Sequence, residues 1–389
     1  MTKLRESQSM WKARPSQLFQ KHFTKLLFCL GIFFYCEVII YYVVIGQCSW
    51  PSLHDHSQQK KPSLQKEAEP LKMMLLADTH LLGPRKGHWF DKLRREWQMY
   101  RTFQTALTLQ SPHVVAFLGD VFDEGQWSND KQFDTYMERF WELFYIPRGI
   151  KMLVVAGNHD IGFHYRMHKS FVDRFDKTFN TSAVHMKTIK GNTFVLINSM
   201  AMHMDNCNLC VRAEALLKDV ERRLQCSLAL DSKMTSQHNV PPKETCTKVE
   251  LEHHSRPVLL MHFPLYRTSD SECSEPDAAP YPDRNEVFRE KWDCLSEKAT
   301  ETVLSALQPR AVFTGHTHHG CLTYHRGDIP EWTLPSISWR NKKSPSFTLA
   351  VFTPDDFAVS KCYIPQETTV VLIYVTSAVL LVSWCVFSH

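Results

Sequence analysis

Charge of one sign is what this 389-residue chain has little of. Its 45 Lys and Arg stand against 41 Asp and Glu, a formal net charge of +4, and outside the N-terminal arm the basic residues form no long patch. Binding along a nucleic acid needs such a patch, so nucleic acid is not an expected partner. The composition of a disordered chain is also missing, since 43% hydrophobic and 22% charged residues suit one large globular domain or two small ones. Two stretches are almost without charge. Leu26 to Ile45 contains Glu37 as its one strongly charged residue, and Thr368 to Phe387 contains none. At about 1.5 Å rise per residue, each is long enough to cross a ~30 Å hydrocarbon core.

Lys and Arg are absent again from Gln47 to Gln59, whereas Lys3, Arg5, Lys12, Arg14, Lys21 and Lys25 precede the first apolar stretch. The positive-inside rule makes residues 1–25 a cytosolic basic arm, 26–45 a transmembrane helix, the middle of the chain lumenal and 368–387 a second transmembrane helix returning to the cytosol. The first apolar run exceeds the core of a cleaved signal peptide and no clear small-x-small site follows it, so an uncleaved anchor is expected. Ile364-Pro365-Gln366-Glu367 supplies little of the small-residue site and polar spacer that a GPI-attachment signal requires. Cys48, Cys207, Cys210, Cys226, Cys246, Cys273, Cys294, Cys321 and Cys362 then lie in an oxidising lumen, where disulfides are expected and their odd number leaves at least one thiol over. Cys207-Asn208-Leu209-Cys210 has no second Cys-x-x-Cys, so a structural disulfide is preferred to a zinc or redox site.

Residues 46–70 turn polar with Pro, Lys and Gln, as a stalk would, and residues 71–364 form the expected folded domain. Trp89, Leu93, Trp97, Tyr100, Phe103 and Leu107 recur at three- and four-residue steps, which predicts a helix with that face buried; Phe133, Met137, Phe140 and Phe144 predict another. Strands between them imply a β-α-β-α-β order and a partly parallel sheet, completed by Trp332, Trp339 and Phe347 to Phe352. Residues 206–255 are expected to be a surface insertion, helical over Ala213 to Cys226 and then polar. Ser269 to Arg284 is expected at the mouth of a site, and Asn180-Thr181-Ser182 is a glycosylation acceptor if lumenal.

What is abundant is ligand-type residues at strand ends. Met73 to Ala77 finishes in Asp78-Thr79-His80, Val114 to Leu118 in Gly119-Asp120, Met152 to Ala156 in Gly157-Asn158-His159-Asp160, Val258 to Met261 in His262, and Ala311 to Thr314 in Gly315-His316-Thr317-His318. In an open α/β sheet such ends share one crevice. Singly, each residue has a plain structural use as a helix cap, a turn residue or a core histidine. Together, carboxylates, an Asn carbonyl and imidazoles form a mixed oxygen and nitrogen set suited to Mn, Fe or Zn. Asp78, His80, Asp120, Asn158, His262, His316 and His318 are too many for one ion, whereas two ions sharing Asp120 would use them and could activate water against a phosphate ester.

Asp-x-His, Gly-Asp-x-x-Asp, Gly-Asn-His-Asp, a lone His after a strand and Gly-His-x-His, in that order, resemble the calcineurin-like metallophosphoesterases over roughly Leu71 to Ile364. The resemblance implies a metallophosphoesterase β-sandwich flanked by helices, here with a transmembrane helix at each end. It implies two divalent ions, Mn above all, one held by Asp78, His80, Asp120 and His318 and the other by Asp120, Asn158, His262 and His316. His159 would face the leaving-group oxygen, oriented by Asp160. The family's protein phosphatases resemble Gly-Asp-x-x-Asp-Arg-Gly, where this chain has Glu124 in place of the Arg. An acid facing the site would repel a dianionic monoester, which favours a diester.

With its spans, the chain resembles the GPI-anchor remodelling members of that family. They imply removal of ethanolamine phosphate from the second mannose of GPI anchors, with GPI-anchored proteins as substrate, cargo receptors or coat proteins as partners, and residence in the early secretory pathway at ER exit sites, the ER-Golgi intermediate compartment and the Golgi. A lysine-bearing cytosolic retrieval tail is implied as well, but the sequence ends Val386-Phe387-Ser388-His389, as an alternative C-terminal form would. A lumenal hydrolase of another phosphodiester or pyrophosphate, and an inactive GPI-cargo-binding membrane protein, are the alternatives.

Overall fold

The structure, a computed structural model, describes residues 15–53, 69–230, 246, 255–341 and 344–387. Most of the expected arm and stalk and the polar end of the insertion lie outside the described residues. The first half contains α1 (Pro15–Phe34), a π turn (Tyr35–Ile39), α2 (Ile40–Ile45), β1 (Leu71–Leu76), α3 (Trp89–Gln110), β2 (Val114–Leu118), α4 (Asp130–Leu143), β3 (Lys151–Val155), α5 (Asn158–Ile161), α6 (Lys169–Phe179), β4 (Val184–Ile189) and β5 (Asn192–Ile197). After these come α7 (Asn208–Leu230), β6 (Val258–Met261), α8 (Glu297–Leu307), β7 (Ala311–Thr314), β8 (Cys321–His325), β9 (Ile329–Thr333), β10 (Ser346–Phe352), β11 (Phe357–Tyr363) and α9 (Glu367–Phe387).

The strands form two sheets, as the family resemblance implies and as the strand-end pattern read by itself does not. One runs β11-β10-β1-β2-β3 and the other β4-β5-β6-β7-β9-β8. Within them β1, β2 and β3 are parallel, as are β5, β6, β7 and β9, so the β-α-β-α-β order forms one parallel core and a second lies opposite it. Alternation along each strand fixes which side faces which layer. Met73 and Leu75 meet Ala116, Leu260 and Phe313 between the sheets, while Met74 and Leu76 share the other core with Met99 and Phe103 of α3. Strands buried on both faces are apolar throughout, so the sequence does not reveal whether a helix or a second sheet covers a given face. The sandwich is what each sheet's second apolar face requires.

α4 behaves as its spacing predicts. Asn129 and Gln132 form a capping box, and Phe133, Met137, Phe140 and Phe144 are all buried. α3 does not. Met99, Phe103 and Ala106 are buried, whereas Trp89, Leu93 and Trp97 are 68%, 60% and 39% exposed. Periodicity locates an apolar face without saying what covers it. Trp339 also departs from expectation: it lies outside the strands, buried in a loop that stacks it on Tyr41 while its Nε1 donates to the Pro365 carbonyl at 2.6 Å.

His22–Ile45 and Glu367–Phe387 are helical segments of 24 and 21 residues, long and apolar enough to cross a membrane. They touch along their length. Phe28 meets Trp384 edge-on, and Glu37 faces α9, accepting from the Tyr374 hydroxyl at 2.6 Å. Cys48–Cys362 ties the end of α2 to β11, while Cys207–Cys210, Cys226–Cys246 and Cys273–Cys321 staple the domain. Cys294 remains a free, buried thiol.

Candidate active site

Each candidate ligand stands just beyond a strand end, with β1, β2 and β3 arriving from one sheet and β6 and β7 from the other. The chain must turn sharply there to bring side chains together. Asp78, His80, Asp120, His316 and His318 all adopt left-handed backbone, with φ of 54°, 45°, 46°, 76° and 62°. Such residues cost on the order of 1 kcal/mol or more each and persist only where surrounding bonds hold them. Here the Asp78 N–H donates to the Gly119 carbonyl, the His80 N–H to the Asp120 carbonyl at 2.9 Å, and the His316 N–H to Asp78 Oδ2 at 3.0 Å. Gly157 is required by closeness, because a Cβ there would lie 2.2 Å from both the nitrogen and Oδ1 of Asp120.

Two clusters share one carboxylate. In the first, His80 Nε2 and His318 Nε2 stand 3.0 Å apart, with Asp120 Oδ2 3.5 Å from His80 and Asp78 Oδ1 3.5 Å from His318. In the second, His262 Nε2 lies 3.1 Å from Asn158 Oδ1 and 3.3 Å from the same Asp120 Oδ2, and His316 joins them. All seven predicted ligand residues are brought together.

These donors fit divalent ions on the evidence of their other atoms. A carbonyl can only accept, so His262 carries its proton on Nδ1, 2.8 Å from the Leu118 carbonyl, and His316 on Nε2, 2.7 Å from the Trp292 carbonyl. Asp123 Oδ1, 3.0 Å from His80 Nδ1, does the same for His80. The inward nitrogens are then left to face the carboxylate and amide oxygens, and His316 Nδ1 is buried without any hydrogen-bond partner among the described residues. Such distances suit a cation between them, either a proton on His262, which against burial Asp120 pushes up to about 9, or a metal ion in its place. The charge balance is consistent with this. Burial would raise Asp78 and Asp120, but the facing imidazoles, His318 for Asp78 and His262 for Asp120, hold both carboxyls below their ordinary value. Burial and His262 push His316 down to about 3, keeping it neutral.

His159 is placed differently. Its Nδ1 lies 3.0 Å from the Asp123 carbonyl and 3.3 Å from Asp123 Oδ1, and its ring meets His80 edge-on. Burial lowers its pKa, yet Asp120 and Asp123 outweigh burial and push the ring up to about 9. The expectation that Asp160 orients this ring is corrected: Asp160 accepts from the backbone N–H groups of Gly157, Val121 and Phe122, fixing two loops instead. A side chain at the third helical position is directed back towards its own N-terminus, which carries Asp160 away from the imidazole. Asp123 does the orienting. It stood in the Gly-Asp-x-x-Asp run, but nothing in that run marked it as the partner of His80 and His159.

The charge argument built on Glu124 is also corrected. Glu124 is buried, and its carboxylate accepts from the Arg85 and Lys86 N–H groups at 3.1 and 2.7 Å, so it serves the Gly83–Lys86 loop rather than facing a substrate. The cations beside the site are Lys86 and Arg340, 3.5 and 3.3 Å from Asp123 Oδ2. Arg340 arrives from 217 residues away and had no local signal. An aromatic lip was missed for the same reason. Phe163, Tyr165 and Trp292 cluster with ring centroids 4.8–6.2 Å apart, next to His316, with Tyr165 62% and Trp292 40% exposed.

The sequence matches the family model described as calcineurin-like phosphoesterase over residues 71–320. It is 46% identical over 359 residues to metallophosphoesterase 1 of Gallus gallus, covering 91% of this chain and 87% of that protein. It is 42% identical over 352 residues to metallophosphoesterase 1 of Danio rerio, covering 90% and 88%. A solved dimetal phosphatase from Danio rerio aligns with 76% of this chain and 100% of its own at 13% identity and a TM-score of 0.40. Matched over most of its folded domain and across nine-tenths of its length to such relatives, this chain belongs to the calcineurin-like metallophosphoesterase family and is a metal-dependent phosphoesterase.

Proposed function

We propose that the chain is a lumenal phosphodiesterase that removes ethanolamine phosphate from the second mannose of GPI anchors, and so promotes ER-to-Golgi transport of GPI-anchored proteins. In this reading residues 26–45 and 368–387 span the membrane of the early secretory pathway, with both termini cytosolic and domain 71–364 in the lumen. The observation that carries it is the combination of an exposed aromatic lip, Tyr165 and Trp292 beside His316, with a domain fastened to two apolar helices. Aromatic faces stack on sugar rings, and the helices keep the site near substrates that are themselves membrane-anchored. With Glu124 turned away, the diester preference rests on the resemblance and on this setting.

Asp78, His80, Asp120 and His318 would hold one ion and Asp120, Asn158, His262 and His316 the other. Two divalent ions, Mn on this reading, supply Lewis-acid charge to a phosphate and lower the pKa of water. The chain's own work is positioning and proton transfer. The Asp123 carbonyl accepts the hydrogen bond of His159 Nδ1–H and leaves Nε2–H to protonate the departing sugar oxygen. Asp160 holds the Gly157 and Phe122 loops so that Asp120 and Asn158 stay in register. The test is the mass of the GPI glycan on a reporter protein from cells lacking this chain. One retained ethanolamine phosphate, removed on return of the wild type but not of Asp120→Ala, is expected. An unchanged glycan would redirect the search to other lumenal diesters, and rescue by Asp120→Ala would favour a binding protein over an enzyme.

A further inference from the structure

The first half of α3 places an apolar, aromatic face in water although the sequence has the periodicity of a buried one. Trp89, Phe90, Leu93 and Trp97 are 68%, 54%, 60% and 39% exposed, and their spacing sets them along one side of the helix. Position in the fold says what covers them. At its C-terminal end α3 meets the segment just beyond α2: Trp50 Nε1 donates to the Gln110 carbonyl at 3.0 Å, and Gln110 Nε2 to the Cys48 carbonyl at 3.1 Å. Nine residues before Gln110, Arg101 lies over the ring of Tyr42, within α2 itself. Earlier still, Arg94 and Arg95 hold Glu367, the first residue of α9, at 2.9 and 2.6 Å. α3 therefore runs back along α2 with its N-terminus directed towards the apolar helices, and Arg94 and Arg95 mark where α9 begins. From Glu367, α9 continues for 21 residues, about 30 Å, the thickness of a hydrocarbon core.

We infer that residues 89–97 of α3 are a membrane-interfacial element that seats the domain on the lumenal leaflet, its partner a phospholipid surface. The inference rests on the reading that α1–α2 and α9 span the bilayer. Trp side chains among Arg and Lys are the composition of an interfacial surface, rings at the acyl boundary and cations among the phosphates. Lys92, Arg94 and Arg95 alternate with the apolar residues here, together with Asp91 and Glu96; Arg94 and Arg95 are held by Glu367, so Lys92 faces the phosphates and the aromatic face carries most of the contact. The surface is also coupled to the catalytic site, since Arg340 lies 4.0 Å from Asp91 on α3 and 3.3 Å from Asp123, which orients His80 and His159. Seating α3 on lipid would hold the site at a fixed height above the leaflet and favour phosphoesters carried on membrane-anchored molecules.

The test uses the full chain in nanodiscs of phosphatidylcholine with brominated acyl chains. Quenching of tryptophan emission should fall in Trp89→Ser/Trp97→Ser relative to wild type, by a share on the order of two in the chain's ten tryptophans. Replacing Trp89, Phe90, Leu93 and Trp97 together by Ser should raise KM about tenfold for a phosphodiester on a lipid anchor, with kcat/KM for soluble bis(p-nitrophenyl) phosphate unchanged. Equal quenching, or equal KM on the anchored diester, would overturn the proposal. Alkaline carbonate extraction separates it from the reading beneath it. A chain retained in the membrane with unchanged quenching would leave the spans and remove the α3 surface; a chain released by carbonate would remove both.

Discussion

Asp123 shows how one residue can orient both a metal ligand and a proton donor without being either. Its Oδ1 fixes His80, its carbonyl and carboxylate face His159, and its other oxygen meets Lys86 and Arg340. Asp123→Asn keeps the shape but weakens the acceptor that sets the His80 tautomer, so activity should drop on the order of 10–100-fold with reduced metal affinity, measured by kcat/KM and calorimetric metal titration. A drop in activity with metal affinity intact would place its role in His159 alone. At the lip, Tyr165→Ala and Trp292→Ala remove stacking surface while leaving the Trp292 carbonyl that holds His316. KM for a glycan diester should rise several-fold with each, and kcat for a small aryl diester should stay near wild type; parallel losses on both substrates would show that the rings support the site rather than bind sugar. The pattern of ligand types was legible at this scale because each lies beside a strand in sequence. Asp123 was visible but ambiguous, and Arg340, Tyr165 and Trp292 were not, since contacts between distant segments leave no local periodicity.

Helices show the difference between having a face and knowing its neighbour. α4 and α3 have equally plain apolar spacing, yet α4 buries its face in an aromatic cluster with Phe117 and Phe122 while α3 exposes half of its own. α6 carries a different tension. Asp176 sits beside Val155, Ala156, Leu196 and Ile197, and burial, partly offset by Arg212, pushes its carboxyl up to about 6. The folded chain therefore holds this proton more tightly than the unfolded chain, whose carboxyl titrates near ~3.9. Stability from this group is greatest below that pH and falls as pH rises from about 4 to 6. Asp176→Asn should be indifferent to that window, so its stability advantage over wild type, read as a difference in Tm, should widen between pH 4.5 and 7.5, reaching on the order of 1–3 kcal/mol in free energy. A constant difference in Tm across that range would show that Asp176 is not desolvated.

On the scale of the whole molecule, Cys48–Cys362 closes a separation of 314 residues, almost the entire folded domain. For a free chain the loop-entropy account assigns such a bridge about 6 kcal/mol. If both apolar helices sit in one bilayer, the ends are already held near one another and the bridge adds less. Cys48→Ser/Cys362→Ser should lower Tm in nanodiscs by a few degrees while leaving the metal content of the folded protein unchanged. A fall of more than about 15 °C would mean that the bilayer does not hold the ends together.

The sequence by itself singled out the seven candidate metal ligands, because they follow directly on apolar strand runs whose ends must be exposed to turn. It also determined two long apolar helices, each long enough to cross a membrane. Tertiary structure decided which strands belong to which of the two sheets, because a strand buried on both faces looks the same whichever layer covers it. The same holds for which groups orient the imidazoles: Asp123 rather than Asp160, and the carbonyls of Leu118 and Trp292. A hydrogen bond to a residue far away in the chain depends on where the backbone turns, and that is set by packing rather than by any neighbour in sequence.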